Sequence, residues 1–240
     1  MRILKKLLSK CRKRIHFAKQ FRRKKSRLAG NRFLCNWDDR WPCLEDATEA
    51  TGFDAHYLYH TAWAARILAV AKPSVHVDIS SCLRFATLVS AFVPVRYYDY
   101  RPAKITLSNL TSGHADISQL PFEDNSIRSL SCMHVVEHIG LERYGDPFDP
   151  EGDLVAMAEL QRVLAPGGDL LFVVPVGAKA RIQYNAHRIY RPEQILDVFT
   201  QLRIDSFALI TSEGDFVEHS SIAKVGSELL ACGCFHFKKA

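Results

Sequence analysis

Val75-His76-Val77-Asp78-Ile79-Ser80-Ser81-Cys82 is a short apolar run that ends in an acid and two serines. Leu83 to Phe92 follows with helical spacing, and Val95-Arg96-Tyr97-Tyr98-Asp99-Tyr100 is a second extended run. A strand, a helix and a strand in close succession form the unit that builds parallel sheets. The alternation continues downstream, with strands expected at Val75 to Ser80, Val95 to Tyr100, Ser112 to Asp116, Ile127 to His134 and Asp169 to Val176. Helices are expected near Leu83 to Phe92, Asp153 to Leu164 and Pro192 to Gln201. The end of the chain differs: Arg203 to Thr211 and Ala231 to Lys238 are strand-like with no clear helix between them. Neighbouring strands without a crossover helix pair antiparallel. The fold class is therefore α/β: a mostly parallel, seven-stranded sheet with helices on both faces and a C-terminal antiparallel hairpin.

Upstream of this block, Tyr57, Leu58, Ala62, Ala65, Ile67 and Leu68 recur at helical spacing, with Asp54 placed to cap the helix and Pro73 to end it. Asn36 to Thr51 is a connector rich in Trp, Pro and acids. Before it, Leu4, Leu8, Cys11, Ile15 and Ala18 recur among Lys5, Lys6, Lys10, Arg12, Lys13 and Arg14, the pattern of a basic amphipathic helix. The chain divides into a basic arm, residues 1–35, and an α/β domain, residues 36–240.

The net charge of +6 hides two opposed parts. Met1 to Arg32 holds 14 of the 32 Lys and Arg residues and no acid, which leaves 18 basic against 26 acidic residues in the rest, a charge of −8. A polyanionic partner is expected to meet the arm and not the body. A basic amphipathic helix suits the plane of an anionic membrane surface, where apolar burial and Lys/Arg attraction add; nucleic-acid contact and a solvated extension are the alternatives. No run approaches the roughly 18 to 20 apolar residues of a membrane-spanning helix, and the N-terminus lacks the apolar core and cleavage site of a signal peptide. The seven cysteines are scattered without Cys-x-x-Cys spacing, so neither a disulfide framework nor a metal site is expected, and a reducing cytoplasm fits. Alternation puts Cys232 and Cys234 on one strand face as buried thiols. The expected location is cytoplasmic, peripheral on the inner membrane face if the arm binds lipid.

Open α/β sheets bind ligands in the crevice outside the carboxyl ends of their strands. Four such ends carry chemistry. Asp78, Ser80 and Ser81 follow the first strand. Asp99 follows the second and can accept both ribose hydroxyl protons of an adenosyl ligand, or stand as a turn residue paired with Arg101. After the third, Gly113-His114-Ala115-Asp116-Ile117-Ser118-Gln119-Leu120-Pro121-Phe122 places Asp116 where it can accept from an adenine amino group, with the backbone at Ile117 against the ring edge. After the fourth, Ser131-Cys132-Met133-His134-Val135-Val136-Glu137-His138-Ile139-Gly140 gathers two histidines and a glutamate; Glu137 and His138 also read as a structural pair supporting the loop.

From about Val75 to Phe199 the chain resembles the class I, S-adenosylmethionine-dependent methyltransferases, whose sheets are Rossmann-like. The resemblance rests on Leu120-Pro121-Phe122, the His134 to His138 strand end, and Leu164-Ala165-Pro166-Gly167-Gly168, whose glycines are expected to turn helix into strand. Such families carry closely spaced glycines where Ser80 and Ser81 stand, because glycine lets backbone approach the ligand. Arg143-Tyr144-Gly145-Asp146-Pro147-Phe148-Asp149-Pro150-Glu151-Gly152-Asp153 and Asn185-Ala186-His187-Arg188-Ile189-Tyr190 are similar to a bacterial branch catalogued as a domain of unknown function. The resemblance implies S-adenosylmethionine as cofactor, held by Asp78, Ser80, Asp99, Asp116 and Ile117. It implies His134 and His187 at the chemistry, His187 as general base for a hydroxyl acceptor, and His138, Asp146 and Arg188 at the substrate. Asp146 and Asp149 can equally cap turns.

The expected activity is O-methylation of a small-molecule or carbohydrate-like acceptor, such as a surface glycan precursor. The competing reading is a non-catalytic methyltransferase-like module that has lost its cofactor together with its glycines. A nucleic-acid methyltransferase would carry an Asn/Asp-Pro-Pro-aromatic motif where Cys132-Met133-His134-Val135 stands, so a nucleic-acid partner is not expected. A nicotinamide-dependent reductase would need the glycine-rich turn that cradles a pyrophosphate.

Overall fold

The computed structural model describes the backbone of residues 2–28 and 32–240 and the side chains of residues 8–28 and 32–240. Contacts divide the chain into two compact units, Met1–Phe53 and Asp54–Ala240. In the first, helix α1 runs from Arg2 to Leu28, with Lys25 and Arg27 in its last turn, where the helix dipole favours cations. Leu4, Lys5 and Lys6 of the expected amphipathic pattern lie outside the described side chains. Phe17 and Phe21 pack on Trp37, with ring centroids 6.2 and 5.1 Å away, and Lys13 pairs with Glu45. Leu8 and Ile15 remain more than half exposed. No helix among the described residues is long and apolar enough to cross a membrane.

The second unit opens with α2 (Ala55–Ala71). Asp54 caps it by accepting from the Tyr57 N–H, and Lys72, at φ +46°, ends it just before Pro73. Then come β1 (His76–Ile79), α3 (Leu83–Val89), β2 (Val95–Asp99), β3 (Leu110–His114), β4 (Ile127–Met133), α4 (Gly152–Val163) and β5 (Leu164–Val176). A small hairpin follows, β6 (Arg181–Gln183) with β7 (His187–Ile189), and the chain closes with α5 (Pro192–Val198), β8 (Leu202–Ile210), β9 (Phe216–Val217) and β10 (Ala231–Lys239).

The main sheet has the order β3-β2-β1-β4-β5-β10-β8-β9. Strands β1 to β5 pair parallel, while β10 inserts antiparallel between β5 and β8. This is the mostly parallel, Rossmann-like sheet with a C-terminal antiparallel hairpin that the sequence implies. It has eight strands and not seven, because Phe216–Val217 doubles back onto Leu209 and Ile210 as a two-residue edge.

The period-2 pattern of β5 shows why helices cover both faces. Leu170, Phe172, Val174 and Val176 join a core with Met157 and Leu160 of α4 and Ile195 of α5. Leu171 and Val173 join the opposite core with Trp63, Ala64 and Leu68 of α2 and Phe85 of α3. Cys232 and Cys234 share that second face, both fully buried, as alternation requires.

Leu164-Ala165-Pro166-Gly167-Gly168 corrects a second expectation. It is not a turn between helix and strand; α4 ends at Val163 and β5 begins at once, with a bulge. Ile127 pairs with Leu164 but Ser129 with Asp169, so the extra residues loop out of the ladder. Gly167 takes φ +71°, and a Cβ on Gly168 would stand 2.8 Å from the Ala165 carbonyl oxygen, so both glycines serve the bulge. The Leu120-Pro121-Phe122 segment is pinned from α4: Glu159 accepts from the Leu120 N–H, and Arg162 donates to the carbonyls of Leu120 and Phe122.

Candidate functional site

A cavity of about 470 Å³ opens at the carboxyl ends of β1 to β4. Ser80, Asp99, Asp116, Ile117, His134, His138 and Asp146, all expected at the site, line it; Asp78, His187 and Arg188 do not.

On the side of β1 to β3, the turn after β1 keeps the shape that glycine would give it. Ser80 sits at φ +55°, the left-handed region, and its N–H donates to the Tyr98 carbonyl at 2.7 Å. Ser81 accepts the Met133 N–H at 3.0 Å, which ties this turn to the end of β4. Asp99 accepts the Tyr97 hydroxyl at 2.9 Å through Oδ2 and the Arg101 N–H at 2.7 Å through Oδ1. Each carboxylate oxygen has two lone pairs, so capacity for two ribose hydroxyls remains. Asp116 makes a turn in which Oδ1 accepts from the Ser118 N–H and hydroxyl, leaving Oδ2 outside that turn. Ile117 is buried at the cavity wall. These positions fit an adenosyl ligand: acceptors at two adjacent strand ends, an apolar wall and a tight turn whose side chains are small.

Asp78 lies beneath this floor, fully buried. Its Oδ1 accepts from Ser131, and its Oδ2 has no partner among the described residues. Burial pushes its carboxyl up to about 7, a shift that the hydrogen bond from Ser131 only moderates. His76 stands next in line, its Nδ1 2.8 Å from the Ser129 hydroxyl and its Nε2 2.9 Å from that of Ser131. Burial pushes this imidazole down to about 3, so it is neutral.

The end of β4 is a cluster of imidazoles around one carboxyl. His134, at φ +57°, places Nδ1 2.8 Å from Oε1 of Glu137. Glu137 is 1% exposed, and burial pushes it up to about 7 against the opposing pull of His138. His138 Nε2 stands 3.8 Å from the same oxygen. Its Nδ1 lies 2.8 Å from the Ala186 carbonyl, to which Arg143 also donates. His187, on β7, packs behind His138 with ring centroids 6.1 Å apart, and its buried Nε2 has no partner among the described residues. Burial lowers the pKa of His134 to about 4 and lowers those of His138 and His187, which favours neutral rings.

The loop between β4 and α4 closes one side of the cavity. Asp146 accepts the Gly140 and Tyr144 N–H groups, and Asp149 accepts that of Glu151, so both carboxylates organise the loop as well as line the cavity. Gly140 takes φ +75°, and a Cβ there would stand 1.9 Å from the Asp149 carbonyl oxygen. Arg188 donates to the Ile139 and Pro150 carbonyls and pairs with Asp153 at 3.4 Å. Its guanidinium is thus committed to holding the loop. Tyr144 lies beneath two guanidiniums, those of Arg101 and Arg143, each about 5 Å from its ring centre.

Sequence reasoning missed a group on the far side of His134. The α2 residues His56, Tyr57 and His60 pack on its ring at centroid distances of 6.0, 5.4 and 5.0 Å. Cys232 of β10 puts its sulfur 3.4 Å from His134 Nε2. The i, i+4 spacing of His56 and His60 was the one available signal, since it sets both on one helix face.

Residues 123–209, well under half of the chain, match the family described as Caenorhabditis protein of unknown function, DUF268, a description that names no bacterial branch. No curated protein matches the sequence. Among solved structures the chain resembles the N-methyltransferase NodS from Bradyrhizobium japonicum WM9 in complex with S-adenosyl-L-homocysteine, with a TM-score of 0.52 and 16% identity over 81% of this chain and 92% of that one. It also resembles the 1,6-didemethyltoxoflavin-N1-methyltransferase of Burkholderia thailandensis with bound 1,6-didemethyltoxoflavin and S-adenosylhomocysteine (TM-score 0.53, 13% identity, 76% of this chain and 79% of that one). A third likeness is to the cyclase SpnF (TM-score 0.53, 15% identity, 75% of this chain and 80% of that one). At such identities the likeness is one of fold: the chain shares the Rossmann-like α/β fold of these proteins, two methyltransferases and a cyclase.

The buried carboxyl of Asp78 gives a test of this floor. Because its folded pKa of about 7 exceeds the ordinary 3.8, the folded state keeps a proton that the unfolded chain releases, and stability falls as the pH rises through that window. Asp78→Asn removes the slope, so from about pH 5 to pH 8 the variant should gain roughly 2 to 3 kcal/mol relative to the wild type in urea unfolding. A gap that does not change with pH would mean that Asp78 is ionised throughout.

Proposed function

We propose that the chain is an S-adenosylmethionine-dependent methyltransferase acting on a hydroxyl of a small or carbohydrate-like acceptor. One observation carries the reading: a single cavity joins Asp99 and Asp116 at adjacent strand ends to His134 and His138 at the end of β4. Its volume lies in the range of ordinary ligand pockets. The cofactor, when bound, supplies a methyl group on a sulfonium. In this reading Asp99 holds the ribose hydroxyls, Asp116 and the backbone at Ile117 hold the adenine, and the Ser80-Ser81 turn gives the rest of the cofactor close approach to backbone.

Methyl transfer from a sulfonium is an in-line displacement, so the protein mainly positions the acceptor, excludes water and removes one proton. The base is best assigned to His138. It lines the cavity, burial favours its neutral form, and Glu137, 3.8 Å away, stabilises the imidazolium once the hydroxyl proton is taken. His187, set behind it, supports His138 rather than meeting the acceptor. Asp146, on the loop over the cavity, offers a hydrogen-bond acceptor to a sugar-like group. The basic α1, with Leu8 and Ile15 exposed, supports an acceptor at an anionic membrane surface, such as a surface glycan precursor.

Calorimetric titration with S-adenosylmethionine and S-adenosylhomocysteine tests the cofactor part. Micromolar binding is expected, weakened about 10- to 100-fold by Asp99→Ala or Asp116→Ala and less than about threefold by His187→Ala. No binding of either ligand to the wild type would leave the non-catalytic module as the reading. For the membrane part, deleting residues 1–27 should abolish sedimentation with phosphatidylserine-containing vesicles while the remaining domain stays folded; unchanged sedimentation would remove the arm from this role.

A further inference from the structure

We propose that His56, His134 and Cys232 bind one divalent metal ion of the zinc class. The site does not depend on the methyltransferase reading. Its members come from three elements, the first turn of α2, the end of β4 and the start of β10, and one ligand atom from each lies within 4.8 Å of the others. His134 Nε2 and Cys232 Sγ are 3.4 Å apart. A tetrahedral zinc ion with ordinary Zn–N and Zn–S bonds holds two such atoms ~3.5 Å apart, so this pair needs little movement to share an ion.

The orientation of His134 is set from its other side. Nδ1 stands 2.8 Å from Glu137 Oε1, and a carboxylate at this nitrogen fixes the N–H there and leaves the Nε2 lone pair for an ion. The strained backbone of His134, at φ +57°, helps hold the ring in this place. The surroundings also contain polar atoms that folding alone leaves unmatched. His60 is fully buried; its Nδ1 donates to the His56 carbonyl at 2.6 Å, and its Nε2 has no partner among the described residues. Its ring stands 5.0 Å from that of His134. Cys234 adds a second sulfur 4.0 Å from that of Cys232.

Two imidazoles and a thiolate form a borderline-soft ligand set, which favours zinc over magnesium or calcium. Binding converts the Cys232 thiol to a thiolate, and its proton leaves to solvent. Three protein ligands leave the fourth tetrahedral position to water or another donor. Of the three ligands only His134 lines the cavity, so the ion stands behind that wall and ties α2 to the sheet.

The full chain, stripped of metal by a chelator and titrated with cobalt(II), reads the site directly. A stoichiometry of one ion per chain is expected, with a thiolate-to-cobalt charge-transfer band in the near ultraviolet; zinc displaces the cobalt and removes the band. Cys232→Ser abolishes the band, His56→Ala weakens cobalt binding at least tenfold, and Cys234→Ser leaves the band in place. Should Cys232→Ser fail to fold, the wild-type band and its survival in Cys234→Ser still decide. Absence of the band from the wild type, or its loss in Cys234→Ser with survival in Cys232→Ser, overturns the proposal.

Discussion

A carboxyl removed from water must either hold its proton or be given donors, and the centre of this sheet is arranged around that requirement at Asp78. His76 and Asp78 alternate on one side of β1, and Ser129 and Ser131 alternate on the facing side of β4, so the four side chains form one buried polar line. Asp78 is aligned with Ser131 across the parallel pair. A slip of one residue would set Leu130 or Cys132 against the acid and leave two serines facing an apolar core, which makes the register of the two central strands unusually specific. Fixing that register fixes where both strands end. The Ser80-Ser81 turn then meets the Met133 N–H, and the cavity opens directly above.

A second buried carboxyl, Glu137, organises the opposite wall in the same way. It is shielded by His134 and His138 and stands where β4 gives way to the loop, so the imidazoles around it are held by packing and not by solvent. The loop beyond is tied down by Arg188 from β7 and by Asp146 from within. The cavity therefore has a rigid floor, a histidine-rich wall and a cover anchored at several points.

Much of the fold was legible because hydrophobic period reports burial. The strands at Val95 and Ile127 and the helices at Asp54, Asp153 and Pro192 stand within a few residues of their expected limits. What was not legible depends on pairing partners distant in sequence. Phe216–Val217 is too short to show a period, and it counts as a strand only because Ile210 and Leu209 lie beside it. Gly167 and Gly168 signal a sharp change of direction, but a turn and a bulge ask for the same residues; only the ladder with β4 separates them. Asp99 and Asp116 were readable as cavity-lining residues because each stands at the carboxyl end of a strand. Arg188 was not readable as a loop anchor, since a guanidinium near a crevice has the same sequence signal whether it meets a ligand or two backbone carbonyls. Cys232 and His56 lie far from His134 in sequence, and no spacing rule joins the three.

The cavity above Asp78 is an adenosyl pocket in this account, and a crystal structure of the protein grown with S-adenosylhomocysteine tests that most directly. The ribose hydroxyls are expected on the Asp99 carboxylate, the adenine beside Asp116 and Ile117, and the sulfur toward the His134 and His138 wall. Ligand density elsewhere on the chain, or a cavity that stays free of ligand at saturating concentration, would contradict it.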